Sequence, residues 1–165
     1  MTEDAFKEQV VDKLMSLART IEFDDKYTIK QPYDPSDPYV DQPIEVFLGD
    51  KEIFWIVGQK HFHYGEFLIF LHDGIEGKKA DTSIGIQEVK GYVGTMEAGL
   101  PQTKLFKKTL KLYNLLVDIL CKREKAEEKK AKELAKEQER QQKQRLSEQQ
   151  NATLSDIDSF VHRSK

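Results

Sequence analysis

The stretch IEVFLGDKEIFWIV, residues 44–57, decides the fold class. Ile44 to Leu48 and Glu52 to Val57 are rich in the β-branched and aromatic residues that suit a pleated strand. Gly49-Asp50-Lys51 between them has hairpin chemistry, because glycine tolerates the positive backbone angles of a tight turn. Two antiparallel strands are therefore expected. Working outward, His61 to His72 predicts a third strand, broken or bulged at Gly65, and Ser83 to Val93 a fourth after the polar loop Asp73 to Asp81. Tyr27 to Lys30 is a short candidate strand ahead of them. Phe47, Phe54, Trp55, Phe62, Tyr64, Phe67 and Phe70 crowd into residues 44–72, so both faces of the sheet's middle are apolar. One face is expected to take helices and the other a second copy of the chain or a ligand.

The helices flank this region. Phe6, Val10, Leu14, Leu17 and Ile21 recur at steps of three and four, with Val11, Met15 and Ala18 widening the stripe. Thr2 is the expected N-cap, Glu3 and Asp4 favour the first turn through the helix dipole, and the helix is expected to end near Arg19 or Thr20. A second helix is predicted from Thr103. Its Leu105, Phe106, Leu110, Leu112, Tyr113, Leu115, Leu116, Val117, Ile119 and Leu120 cover more than one stripe, which implies burial on the sheet and against a second subunit. Between helix one and the sheet, Pro32, Pro35, Pro38 and Pro43 exclude helix and central strand. Tyr33, Asp34, Asp37, Tyr39 and Asp41 in that loop form a candidate protein-binding segment.

From Lys122 to Gln150 the apolar residues are Ala126, Ala131, Leu134, Ala135 and Leu146, too sparse for the a and d positions of a strong coiled coil. Glu128 with Lys132 and Glu139 with Lys143 have the favourable i, i+4 order, so a solvated helical arm is expected. Leu154, Ile157, Phe160 and Val161 then return at helical spacing, with Ser155 as a cap and Asp156 and Asp158 in a first turn. Residues 151–165 thus read as a short amphipathic motif. Ile157, Phe160 and Val161 are its candidate docking residues.

Charge is segregated along the chain. Residues 1–102 hold 10 basic and 19 acidic side chains, a net −9, and residues 103–145 hold 14 and 7, a net +7. Such asymmetry concerns partners rather than fold. One cysteine, Cys121, allows no internal disulfide and points to a reducing compartment, the cytoplasm. Thr2, Glu3 and Asp4 do not fit the basic start of a secretory signal, and no apolar run is long enough to span a bilayer, so no membrane partner is expected.

Three constellations are candidates for chemistry or ligand binding. His61 and His63 share one strand face near Glu66, a set able to hold a divalent metal, and the pattern loosely resembles the first motif of the cupins. Asp73 closes an apolar strand, and Glu88 and Lys90 fall on one face of the next; two carboxylates and a lysine can hold Mg²⁺ and position a water for attack on a phosphodiester. This pattern resembles the core of the PD-(D/E)xK nucleases over about residues 1–115, which would assign catalysis to Asp73, Glu88 and Lys90, with Glu8 as a further ligand and Mg²⁺ as cofactor. It departs from that family in having no strand after the second helix and no glutamine and tyrosine pair on it. Lys104, Lys107, Lys108, Lys111, Lys122 and Arg123 form a third set, able to follow a phosphate backbone, with Glu residues interspersed beyond Cys121.

The reading as a whole is an α+β domain over residues 1–121, with an antiparallel sheet of four to five strands packed by an N-terminal helix and the first half of a long helix. A charged arm follows over residues 122–150 and a terminal motif over 151–165. The expected function is non-enzymatic and without cofactor: binding a protein partner, such as a nucleic-acid-processing enzyme, with the protein itself a dimer. A nuclease and a nucleic-acid binder are the alternatives.

Overall fold

The structure, a computed structural model, describes residues 1–31, 43–60, 65–72, 82–88 and 102–163. Helix α1 spans Glu3–Phe23. Thr2 caps it in extended geometry, its side chain accepting from the Ala5 N–H at 3.1 Å. The helix passes its expected end near Arg19 or Thr20. Ile21 is fully buried in the apolar stripe, so packing holds the last turn in place, and the Asp24 N–H closes it on the Ile21 carbonyl. Phe6, expected in the stripe, is 46% exposed.

Five strands follow: β1 Tyr27–Lys30, β2 Ile44–Leu48, β3 Lys51–Lys60, β4 Gly65–Leu71 and β5 Thr82–Gln87. They form one antiparallel sheet in chain order, each strand pairing with its neighbour in sequence. Gly49 has φ 61°, the left-handed value a two-residue hairpin turn needs, and Lys51 belongs to β3 rather than to the turn. A bulge between Val46 and Phe47 shifts the register of this hairpin. β5 ends at Gln87, earlier than the expected Val93; residues 89–93 lie outside the described residues.

Register places Ile44, Ile56, Ile69 and Ile84 side by side across four strands, and Ile29, Val46, Phe54 and Leu71 in the next row. These rows, with Phe67 and Ile86, join Val11, Leu14, Ala18 and Ile21 of α1 in one core. Helix α2, Lys104–Arg163, adds Phe106, Leu112, Leu116, Ile119 and Leu120 to it. Leu105, Tyr113, Leu115 and Val117 pack at its margin, and Leu110 is 36% exposed, so the buried part of α2 is one stripe with flanks. Each fully buried apolar side chain contributes about 1.5–3 kcal/mol relative to exposure. The domain is thus α+β, with both helices on one face of a five-stranded sheet.

The chain divides into two compact units, Met1–Cys121 and Lys122–Lys165. In the second unit α2 runs without interruption to Arg163, so Ser155 is an interior helical residue and not the cap of a separate motif. Ser155 is one choice among polar residues that a helix tolerates once its neighbours propagate it. Among the described residues no helix is long and apolar enough to cross a membrane.

Candidate functional site

Glu88, a candidate catalytic carboxylate, lies in a bend just past the end of β5 rather than on a strand face. Its Oε2 accepts from the Gly65 N–H at 2.6 Å and its Oε1 from Gln102 Nε2 at 2.8 Å. The backbone completes the bracket: the Glu88 N–H donates to the Gly65 carbonyl, and the Thr103 N–H donates to the Glu88 carbonyl, both at 2.8 Å. Gly65 allows this approach, since a Cβ there would lie 3.0 Å from Glu88 Oε2 and 3.3 Å from the Phe106 ring. Thr103 then caps α2, its hydroxyl accepting from the Phe106 N–H and donating to the Gln87 carbonyl, both at 3.1 Å. Glu88 therefore ties the start of β4, the end of β5 and the start of α2 together. Asp73 and Lys90 lie outside the described residues, as do His61 and His63 of the metal reading.

Beside this bracket is a cleft of about 600 Å³ between the first turns of α1 and α2 and the β4–β5 edge, lined by Asp4, Lys7, Glu8, Glu66, Gln87 and Lys104. Several of its charges are already engaged. Lys7 Nζ donates to the Gly85 carbonyl at 2.8 Å and pairs with Glu3 at 3.0 Å. Lys108 reaches across from α2 to Glu8 at 2.6 Å and Asp12 at 3.3 Å. The hydrogen bond from Lys108 holds the Glu8 carboxyl below its usual range, and the same bond raises Lys108. Of the six basic residues proposed to follow a phosphate backbone, Lys108 thus clamps the helices together, while Lys104, Lys107 and Lys111 are exposed on α2. Among the described residues, no group of three or more His, Cys, Asp or Glu is arranged to hold a metal ion.

The sheet face opposite the helices carries Trp55 stacked on Phe70, ring centroids 3.9 Å apart and planes 8° from parallel, with Val57 and Leu68 paired beside them. Lys30 lies 4.9 Å from the centre of the Phe47 ring, a cation–π contact at the far end of the strip. Phe47, Trp55, Leu68 and Phe70 are half-buried and Val57 is buried.

Among the described residues, a group of exposed apolar side chains on one helix face lies in the second unit. Leu154, Ile157, Phe160 and Val161 are 60, 54, 72 and 46% exposed. At about 100° per residue they fall within an arc of about 120°, with Asp156 and Asp158 about 40° beyond its two edges. Among the described residues of the first unit the exposed large apolar residues are Met1, Phe6, Phe23, Leu48 and Leu110, and the two that share an element, Phe6 and Phe23, lie toward opposite ends of α1. Single exposed apolar residues are normal, and the four of the second unit differ from them in sharing one helix face. The row is made of Leu154, Ile157, Phe160 and Val161, the four residues whose helical spacing is visible in the sequence. The proline-rich candidates Tyr33, Asp34, Asp37, Tyr39 and Asp41 lie outside the described residues.

Sequence reasoning missed the Gly65–Glu88 bracket, because a strand reading of residues 83–93 put Glu88 on a sheet face. The Gly in an otherwise apolar strand was the available signal for a close approach. The chain matches no protein-family model, no curated protein and no solved structure, so its function is read from these residues.

Proposed function

We propose that this protein is a non-enzymatic interaction module that docks on a protein partner through the C-terminal face of α2, with Leu154, Ile157, Phe160 and Val161 as anchors. The observation that carries the reading is the exposure of these four side chains on an unbroken helix. An amphipathic helix with anchors at i, i+3, i+6 and i+7 fits an apolar groove, and Asp156 and Asp158 suit a groove with a basic rim. A nucleic-acid-processing enzyme is a partner of that chemistry. The exposed lone thiol of Cys121 supports a reducing compartment, the cytoplasm. The aromatic strip on the outer sheet face supports a second reading for the first unit, pairing with another copy of the chain.

Affinity capture from nuclease-treated lysate tests the docking face, comparing the full-length protein with its Ile157→Ser/Phe160→Ser variant. A stoichiometric protein retained by the wild type and lost by the variant is the expected result. Equal retention by both would end this assignment. Light scattering on the same two proteins gives the mass; the dimer reading requires twice the chain mass in both.

A further inference from the structure

We infer that residues 122–143 form a phosphate-binding ridge for duplex nucleic acid, on different residues from the docking row and on an earlier stretch of α2. In sequence the charges of this region alternate, but the helix sorts them. At about 100° per residue, Lys122, Lys125, Lys129, Lys132, Lys136, Arg140 and Lys143 fall within one arc of about 80°. Their steps are three or four residues throughout, so the line extends about 32 Å with a cation every 5 Å or so. No acidic residue of 122–143 lies inside the arc; Glu139 and Glu133 border it, and Glu124, Glu127, Glu128 and Glu137 lie farther round. Glu139 is paired with Lys143 at 3.0 Å and Glu137 with Arg140 at 2.8 Å, and the Arg140 bond lowers the Glu137 carboxyl.

The central members are available. Lys125, Lys129, Lys132 and Lys136 are exposed and make no ion pair with any described residue. The expected pair of Glu128 with Lys132 is not formed, since such a solvated pair contributes about 0.2–0.5 kcal/mol, less than thermal energy.

Three features select duplex nucleic acid among polyanions. A straight, evenly spaced line of cations complements a rigid polymer with one charge per 1.7 Å or so of axis. An acidic protein surface has no such repeat. A membrane-surface helix needs large apolar residues along the face that meets the lipid. Here Leu134 is the large apolar residue of 122–143 and lies about 160° from the centre of the ridge. Stacking on single-stranded bases needs aromatic side chains, and residues 122–143 have none. The contact is therefore to phosphates and carries no base sequence preference.

The test compares two full-length variants of identical net charge. One removes three ridge cations, Lys129→Gln/Lys132→Gln/Lys136→Gln; the other removes three from the opposite side, Arg123→Gln/Lys130→Gln/Arg145→Gln. Each is titrated with a mixed-sequence DNA duplex of four helical turns over a range of salt, with helicity checked by circular dichroism. Seven contacts give a slope of log K on log salt near −6, at roughly 0.9 per phosphate, and the ridge variant should flatten it to about −4. Its affinity at low salt should fall at least ~10-fold, while the off-ridge variant keeps the wild-type slope. Equal losses in the two variants would show net charge acting without a ridge and overturn the inference. So would a wild type that leaves the duplex unbound at about 50 mM salt, where phosphate contacts are strong. Ridge-dependent binding of anionic vesicles or polyglutamate without duplex binding would assign the ridge to another partner.

Discussion

Helix α2 meets two different fates in the two units of this chain. Within Met1–Cys121 its Leu112 and Leu116 are fully buried and Ile119 is 2% exposed. Within Lys122–Lys165 its Leu134 and Leu146 are 60 and 56% exposed. The period of the backbone is the same in both, so the difference lies in what each face meets. In the first unit the helix is held by tertiary packing on the isoleucine rows. In the second it is held by composition: Ala, Glu, Lys, Gln and Arg are strong helix formers, and pairs such as Glu139 with Lys143 add small increments. A helix maintained that way keeps nearly all of its described side chains exposed.

The strongest way to break this comparison is to truncate one side chain in each unit. Phe54→Ala removes a fully buried ring from the middle of the core and should cost about 3–5 kcal/mol. Leu134→Ala should stay within ~0.5 kcal/mol. Urea denaturation followed by the fluorescence of Trp55, the one tryptophan of the chain, measures both. A comparable loss from Leu134→Ala would mean that the second unit is packed rather than solvated.

A smaller effect sharpens the assignment of Glu88 as a structural bracket. Glu88→Ala leaves the Gly65 N–H without its side-chain acceptor and should cost about 1–3 kcal/mol in the same assay, while Glu88→Gln, which keeps an acceptor oxygen, should cost less. If Glu88→Ala proves neutral, the bracket does not hold β4, β5 and α2 together.

The smallest effect concerns the clamp between α1 and α2. Glu8 is held below its usual range, so its contribution to stability is complete above the ordinary carboxylate range and is lost as pH falls through the lowered value. Lys108 is raised, so its contribution is complete below the ordinary lysine range and is lost as pH rises through the raised value. Both partners are more than a third or nearly a third exposed, which limits the size of either limb. Lys108→Met should flatten both limbs of the plot of urea midpoint against pH. A variant that keeps the wild-type profile would place the pH dependence in other groups.

Much of the first unit was legible in the chain. Ile44–Leu48 came out with its observed bounds, and β3 was recognised although it extends past Glu52 and Val57 at both ends. Alternation and turn chemistry are local signals, which is why they sufficed there. The end of α1 was missed because Ile21 is kept helical by contacts with the sheet, and the bracket at Glu88 because it joins residues 23 apart in sequence. At the candidate site, Ile157, Phe160 and Val161 were visible from spacing alone, and the continuity of the helix through Ser155 was not.

The sequence by itself determined which segments are strand or helix, where the apolar residues end, and that charge is segregated, because these follow from local period and composition. Tertiary structure decided which residues meet: Ile44 beside Ile56, Ile69 and Ile84, Glu88 against Gly65, and Lys108 against Glu8. It also decided which faces of α2 stay uncovered. Strand register and helix docking are settled by burial of the whole core at once, and no local stretch of chain carries that information.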